Sequence, residues 1–432
     1  MSFQRLKGFA APGTPAKYDK VGVLKTGPKR ARNVLVLVPG TSAGAAYFEP
    51  LAKTIVRHSK GWQVWSVERR ENLLEDQSMF DRVKTHKATA QQLYDYYLGF
   101  IDKDSKKHFK FIPDSRVGFA RGWGMRVEVE DLGRVVRAAA KGGRRVVLGG
   151  HSLGGSITTA YATWDFGGRA GGRGLSGLVY IDGGSTPVTI SEDEAKTSLQ
   201  QLQSSTPWFA FGGVPTPFAG LLNSVGSELA RIAPKRRSLL EHFSLLPANL
   251  RPPAPATNEG GYGYAVDSAT SPVNLAAFQA HVGHLATKGS IRGWVRGGEL
   301  TPIQRYAAMF SGAGLKGLDG TAWYHPIRLT MDRLAVADGN ANPAQQVLDV
   351  RAIHGHSLPR KLRIYAFAAA LGGQDILDNA RTLAQQSRIP RKRVKLVKRS
   401  TTYAHNDPAG ASPRNDFVKG LLPFLHRIAR GQ

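Results

Sequence analysis

The segment Asn33 to Val38, NVLVLV, constrains the fold more than any other part of the chain. A strand with one wet face alternates apolar and polar residues. A run that is apolar at every position is buried on both faces, as in a parallel sheet covered by helices on each side. Pro39-Gly40 ends it. Further strands read at Trp62 to Val67, Arg145 to Leu148, Leu178 to Ile181, Leu362 to Phe367 and Val394 to Lys398. Helical patterns lie between them, roughly Ala45 to Ser59, Val127 to Lys141 and from about Ser156. In the second, Val129, Leu132, Val135, Val136 and Ala139 share one face, and Gly142-Gly143 stop the helix. Strand and helix in alternation predict an α/β fold with a mostly parallel central sheet.

Two stretches break the alternation. Residues 71–126 separate a strand from its helix and hold a helical segment near Thr89 to Ile101. Residues 186–360 form a larger insertion with an acidic helix start, Ser191-Glu192-Asp193-Glu194. An aromatic, glycine-broken stretch follows, Trp208 through Phe218 to Leu221-Leu222, and then a proline-rich loop, Pro252-Pro253-Ala254-Pro255. A structureless loop of such length is implausible in a compact domain. The expected organisation is a core from 1–185, a mainly helical cap or lid from 186–360, and the rest of the core from 361–432.

Composition removes whole classes of function. The 432 residues include no cysteine, so disulfides, Cys-ligated metals and a Cys nucleophile are excluded. No apolar run approaches the roughly 18 residues of a membrane span. Met1 to Lys20 lacks the apolar stretch of a secretory signal, so the chain as written reads as soluble and cytoplasmic, or as exported with a leader removed. The formal net charge is +27. Its clusters, Lys29 to Arg32, Lys235 to Arg237 and Arg391 to Lys395, are scattered and match no nucleic-acid motif. A solvated basic surface is the plain reading, and attraction to anionic surfaces the alternative. Oligomeric state is not written in these features.

Gly150-His151-Ser152-Leu153-Gly154 matches G-x-S-x-G, and so does Gly40-Thr41-Ser42-Ala43-Gly44. Context separates them. A nucleophile elbow needs a strand, a strained turn and a helix packed close to the sheet. Around Ser152 the strand is Val146-Val147-Leu148, Gly149-Gly150 make the turn, and Gly154-Gly155 let the helix approach. Ser42 follows the first strong strand, with little sheet before it.

With this elbow the chain resembles the α/β-hydrolase superfamily, in its esterase and lipase branch. The resemblance covers about residues 30–70, 127–185 and 360–428. It implies an α/β-hydrolase core and a Ser-His-acid triad with Ser152 as nucleophile. The loop after an early strand and the residue after the nucleophile supply the oxyanion hole, which points to Thr41 and Leu153. The histidine loop lies between the last strand and the closing helix, where Tyr403-Ala404-His405-Asn406-Asp407 stands. The acid stays open. Asp375, after the penultimate strand, is where most members place it; Asp182, directly after the strand that follows the elbow helix, is where a minority do.

No cofactor is implied, since no phosphate loop, dinucleotide fingerprint or H-E-x-x-H is present. The pairs His281/His284 and His354/His356 have metal-like spacing but no carboxylate set, and read as loop residues; no metal is expected. The Trp208 to Leu222 stretch is either a lid or acyl-binding wall, or the cap's own core. The stretch from Glu68-Arg69-Arg70-Glu71 to Asp76 either rims the pocket or forms surface salt bridges. The expected function is a serine hydrolase acting on a small-molecule carboxylic ester with a hydrophobic portion. An amidase, thioesterase or lactonase would use the same triad. A non-catalytic polyanion- or ligand-binding protein is the reading from a different class.

Overall fold

The structure, a computed structural model, describes residues 1–185 and 189–431. Eight strands form the central sheet: β1 (Ser2–Lys7), β2 (Lys20–Thr26), β3 (Asn33–Val38), β4 (Trp62–Glu68), β5 (Arg145–His151), β6 (Gly177–Ile181), β7 (Arg363–Ala368) and β8 (Val394–Lys398). Their order is β1-β2-β4-β3-β5-β6-β7-β8. Only β2 runs against the others; it pairs antiparallel with both β1 and β4. The remaining neighbours are parallel. This is the α/β-hydrolase architecture that the elbow resemblance implies.

The uninterrupted apolar run in β3 is explained by its two faces. Val34, Val36 and Val38 join one core layer with Leu132, Val135 and Ile157. Leu35 and Leu37 join the other with Phe48, Leu51 and Ile55. The helices behind these layers are α1 (Glu49–His58), α2 (Met125–Ala140) and α3 (Leu153–Thr163), with α3 buried along its whole length.

β1 and β2 are absent from the sequence expectation. β1 is an edge strand whose exposed positions carry Arg5 and Lys7, and β2 is interrupted by Gly22, so neither shows a clean period. The elbow helix starts at Leu153, earlier than the composition of small residues indicated.

The 71–126 stretch contains helices Ser78–Lys84 and Ala90–Tyr97, the second fixed by a Thr89–Gln92 capping box. Its aromatics do not stand alone. Phe80, Tyr97 and Phe109 share a core with Trp208, Leu221 and Trp323 of the large insertion. The Phe109 and Trp323 rings meet edge to face at 5.8 Å. The acidic start of the large insertion is a true capping box, Ser191 with Glu194, opening helix Glu192–Ser204. Later helices of the same insertion go elsewhere: Leu329, Ala335, Val336 and Leu348 pack into the layer that holds α2 and α3. The boundary expected at 186 falls on Thr186, outside the described residues. No helix among the described residues is long and apolar enough to cross a membrane.

Candidate active site

β5 ends at His151 and α3 begins at Leu153, leaving Ser152 as the hinge between them. Its backbone is at φ 55° and ψ −126°. A non-glycine residue held there costs on the order of 1–3 kcal/mol and persists only where its surroundings over-determine it. Close packing does so here. A Cβ on Gly154 would lie 2.1 Å from the Val38 carbonyl oxygen, so only glycine lets α3 sit this near β3. The turn is further pinned by the Ser152 N–H, which donates to the Ile181 carbonyl at 3.1 Å.

His405 lies in the loop after β8 and is buried. Its Nδ1 is 2.6 Å from Asp182 Oδ2. A carboxylate only accepts, so Nδ1 carries a proton, and in the neutral ring Nε2 then presents a lone pair. Asp182 directly follows β6 and takes a positive φ of 44°. Its second oxygen, Oδ1, accepts from the N–H groups of Ala369 and Gly372 at 2.6 and 3.1 Å. Both donors come from the end of β7 and the turn beyond it, so the sheet itself aims the carboxylate.

The structure therefore pairs His405 with Asp182 and not with Asp375. Asp375 is exposed in the first turn of α6 (Gly373–Gln386). The physical reason is the Ala369 to Gly372 extension. It folds back so that its N–H groups face Asp182, and it carries Asp375 outward onto the helix.

The His405 loop is held from both sides. His151 is fully buried, and burial with the neighbouring His405 pushes its pKa well below the ordinary imidazole value, so it is neutral. His151 Nε2 lies 2.9 Å from the His405 carbonyl oxygen, which requires the proton on that nitrogen. The two rings stand 4.3 Å apart. Tyr47 Oη donates to Asn406 Oδ1 at 2.9 Å, and Asn406 Nδ2 donates to the carbonyls of Ala277 and Gln279. Asp407 accepts from Ala404 N–H at 2.8 Å and from Thr301 Oγ1 at 2.8 Å, and lies 2.6 Å from His281 Nδ1. That hydrogen bond raises the His281 pKa. The sequence read His151 as the variable elbow position and His281 as a loop residue; both secure the loop that carries His405. Ser152 Oγ makes no hydrogen bond to His405 among the described residues, and such bonds tighten when substrate arrives.

The loop after β3 runs beside the elbow. A Cβ on Gly40 would lie 2.8 Å from Ser152 Cβ. Beneath this loop is the buried Arg69 guanidinium. It donates to the carbonyls of Pro39 and Gly40 at 3.0 Å and of Ala43 at 3.3 Å, and to Glu71 Oε1 at 2.6 Å. A trans peptide points its C=O and N–H in opposite directions. Since the Gly40 carbonyl faces Arg69, the Thr41 N–H faces away from it, and it has no partner among the described residues. Leu153 is the first residue of α3, so its N–H has no intrahelical acceptor either. These are the two N–H groups expected from the sequence. Of the Glu68 to Asp76 stretch, expected at a rim or surface, Glu68 to Glu71 and Leu74 are buried instead, and the rest is half-buried. Arg70 bridges Asp131 and Asp19 at 2.8 and 2.9 Å. Burial raises Glu68 to about 8 and Glu128 to about 8, although Arg69 pulls both downward.

The second motif serine is spoken for. Ser42 Oγ is buried and donates to the Ala322 carbonyl at 2.6 Å, and Ala322 N–H returns a bond to Ser42 at 3.0 Å. It ties the large insertion to the loop. His354 sits on Asp165 at 2.9 Å, and His284 and His356 are exposed. No group of three or more potential metal ligands occurs among the described residues.

No family model matches the chain, and no curated protein matches it. Several solved structures are similar at low identity. A candidate lipase from Sulfolobus solfataricus is 14% identical with a TM-score of 0.46, over 100% of this chain and 94% of that one. The thioesterase domain of the curacin biosynthetic pathway is 12% identical with a TM-score of 0.42, over 99% of each chain. A thermophilic esterase from Thermogutta terrifontis is 12% identical with a TM-score of 0.40, over 98% of this chain and 99% of that one. What the site can do follows from its own geometry.

Proposed function

We propose that the chain is a serine hydrolase that cleaves a carboxylic ester with a hydrophobic portion by acyl transfer. The observation that carries this reading is the buried 2.6 Å contact of His405 Nδ1 with Asp182 Oδ2, beside a serine held at a strained elbow. A serine hydroxyl is a weak nucleophile until a positioned base takes its proton. The Nε2 lone pair of His405 is that base. Asp182 fixes the tautomer and stabilises the imidazolium that forms. Ser152 Oγ attacks the ester carbonyl, and its carbon becomes tetrahedral. The negative charge on oxygen falls between the N–H groups of Thr41 and Leu153, at the N-terminus of α3. His405 then protonates the leaving alcohol, and the acyl-enzyme remains on Ser152. Water attacks next, His405 takes its proton, and the carboxylic acid leaves.

The test is hydrolysis of p-nitrophenyl butyrate by the wild type and by Ser152→Ala, with covalent labelling by a fluorophosphonate. The expected result is turnover and labelling at Ser152 in the wild type, and neither in a folded Ser152→Ala protein. Labelling that persists in Ser152→Ala would place the nucleophile elsewhere. A folded wild type that neither labels nor turns over would remove the reading.

A further inference from the structure

The large insertion encloses a cavity of about 590 Å³. None of its lining residues belongs to the proposed triad or to the oxyanion loop. One side is the outward face of α4 (Thr216–Ile232), where Phe218, Ala219 and Leu222 look into it. α5 (Asn258–Val266) contributes Tyr262 and Ala265. The opposite wall is the proline-rich loop, with Pro247, Pro252, Pro253 and Pro255.

Three observations give the ligand its chemistry. Prolines carry no N–H, so this wall offers a ligand carbonyls and hydrocarbon but few donors. Two of the polar groups that line the cavity are engaged with the protein. Tyr262 Oη donates to Asn223 Oδ1 at 2.9 Å, and the Arg251 guanidinium is taken up by the carbonyls of Glu241, Phe243 and Leu246. Two large apolar side chains at or beside the lining are open to solvent: Leu245, on the lining, is 52% exposed, and Val273, next to the lining residue Asn274, is 88% exposed. Large apolar side chains left this open beside an apolar cavity suit a surface that meets apolar matter.

The inner end reaches the proposed catalytic loop. Phe211 and Phe278 line the cavity, with their rings edge to face at 5.0 Å. Phe211 is presented by a hairpin, Ala210–Phe211 with Val214–Pro215, whose turn residues Gly212 and Gly213 take φ of 54° and 86°. Two positive φ values in a two-residue turn are the geometry that favours glycine pairs. Phe278 lies between Ala277 and Gln279, whose carbonyls hold Asn406, the residue after His405. The Phe278 carbonyl is itself bound by Tyr306 Oη.

We infer that this cavity receives the long alkyl chain of the substrate, so that the enzyme's class of substrate is an ester of a long-chain acid. The inference rests on the serine hydrolase reading for its chemistry, but not for the binding itself. A volume of this size lies within the range of sites that enclose most of a ligand of drug size. A flexible chain with no hydrogen-bonding groups suits a proline wall that offers few donors. A polar or charged ligand would leave its own groups unpaired there.

Two experiments keep this apart from the hydrolase reading. The first measures kcat/KM for p-nitrophenyl esters from acetyl to palmitoyl in the wild type, Ala219→Trp and Ala265→Trp. The indole of each variant projects into the cavity from a different helix, so one folded variant suffices. The expected result is a wild-type preference for long chains, with the palmitoyl-to-acetyl ratio falling about 10²-fold in the filled variants, equivalent to three or four methylenes left unburied. The second titrates cis-parinaric acid, a fluorescent long-chain acid, into Ser152→Ala alone and combined with Ala219→Trp. Binding that is saturable in the first protein and lost in the second supports the cavity even if no ester is turned over. Turnover with a chain-length profile unchanged by both fillings, or parinaric acid bound equally with the cavity filled, would overturn the inference while leaving the hydrolase reading intact.

Discussion

Replacing Asp182 by asparagine tests the proposed chemistry with the least disturbance to the fold, because the structure dictates how the amide must lie. Asp182 Oδ1 accepts from two backbone N–H groups, Ala369 and Gly372. An amide nitrogen in that place would face two donors with a donor of its own, so the asparagine oxygen must take the Oδ1 position. The NH2 group is then forced into the Oδ2 position, 2.6 Å from His405 Nδ1 in the wild type. There it can only donate. Nδ1 must become the acceptor, which moves the imidazole proton to Nε2 and removes the lone pair meant for Ser152. Every hydrogen bond of the buried site survives in number, so the melting temperature should move little. Catalysis should not survive the change. The same exchange in a serine protease triad lowers kcat about 10⁴-fold, which corresponds to about 5.5 kcal/mol on the barrier. The assay is kcat on a p-nitrophenyl ester for Asp182→Asn and Asp375→Asn, each checked by thermal melting. Asp375 is exposed and makes no contact with His405, so its variant should stay within about twofold of wild type, as surface exchanges usually do. An active Asp182→Asn protein, or an inactive but folded Asp375→Asn protein, would refute the reasoning.

Two further expectations come from the buried charges behind the oxyanion loop. Arg69→Lys keeps the positive charge beside Glu71 but loses the planar fork that reaches the three carbonyls. With the Gly40–Thr41 peptide no longer held, one oxyanion donor is misaimed, and kcat should fall about 10²-fold with KM nearly unchanged. The affinity for a trifluoromethyl ketone, which forms an anionic tetrahedral adduct, should fall in parallel; equal loss in KM alone would contradict the role. The second expectation concerns Glu68. Burial raises its carboxyl from the ordinary range to about 8 in the folded protein. The folded state therefore holds a proton that the unfolded state has released, and stability is lost as pH rises from about 4.5 to about 8. Glu68→Gln cannot titrate, so its melting temperature should decline less than wild type across that window, by the equivalent of a few kcal/mol. Parallel curves for the two proteins would show that Glu68 is not the group responsible.

The candidate site was legible in the sequence wherever its proposed chemistry calls for a local pattern. The elbow around Ser152 writes its strand, turn and small-residue helix in consecutive residues. His405 was readable for the same reason, since strand, loop and closing helix follow one another, the last being α7 (Asp416–Ala429). The partners that meet these residues across the sheet were not. Arg69 is 29 residues from Gly40, whose carbonyl it holds twice, and nothing in its neighbourhood distinguishes a buried clamp from a surface arginine. His281 and Asp407 are separated by 126 residues and meet only because the insertion folds over the loop. Such contacts depend on register and crossover, which no local period encodes.

The acid shows what would have been needed to decide it. Asp182 and Asp375 both follow strands whose C-terminal ends lie side by side, since β6 and β7 are neighbours in parallel register from Gly177 with Arg363 to Ile181 with Phe367. Either position is therefore near His405, and chain order alone favours neither. The difference lies in what lies beyond β7. The Ala369 to Gly372 extension offers two N–H groups back toward β6, which gives Asp182 two bonds besides that to His405 and leaves Asp375 on the solvent side of the next helix. A carboxylate buried with three donors is held in one place; one on an exposed first turn is free to move, and a histidine aimed by it would lose the fixed tautomer on which proton transfer from Ser152 depends. The decisive feature is thus the donor set around the acid, and a backbone N–H leaves no mark in the sequence.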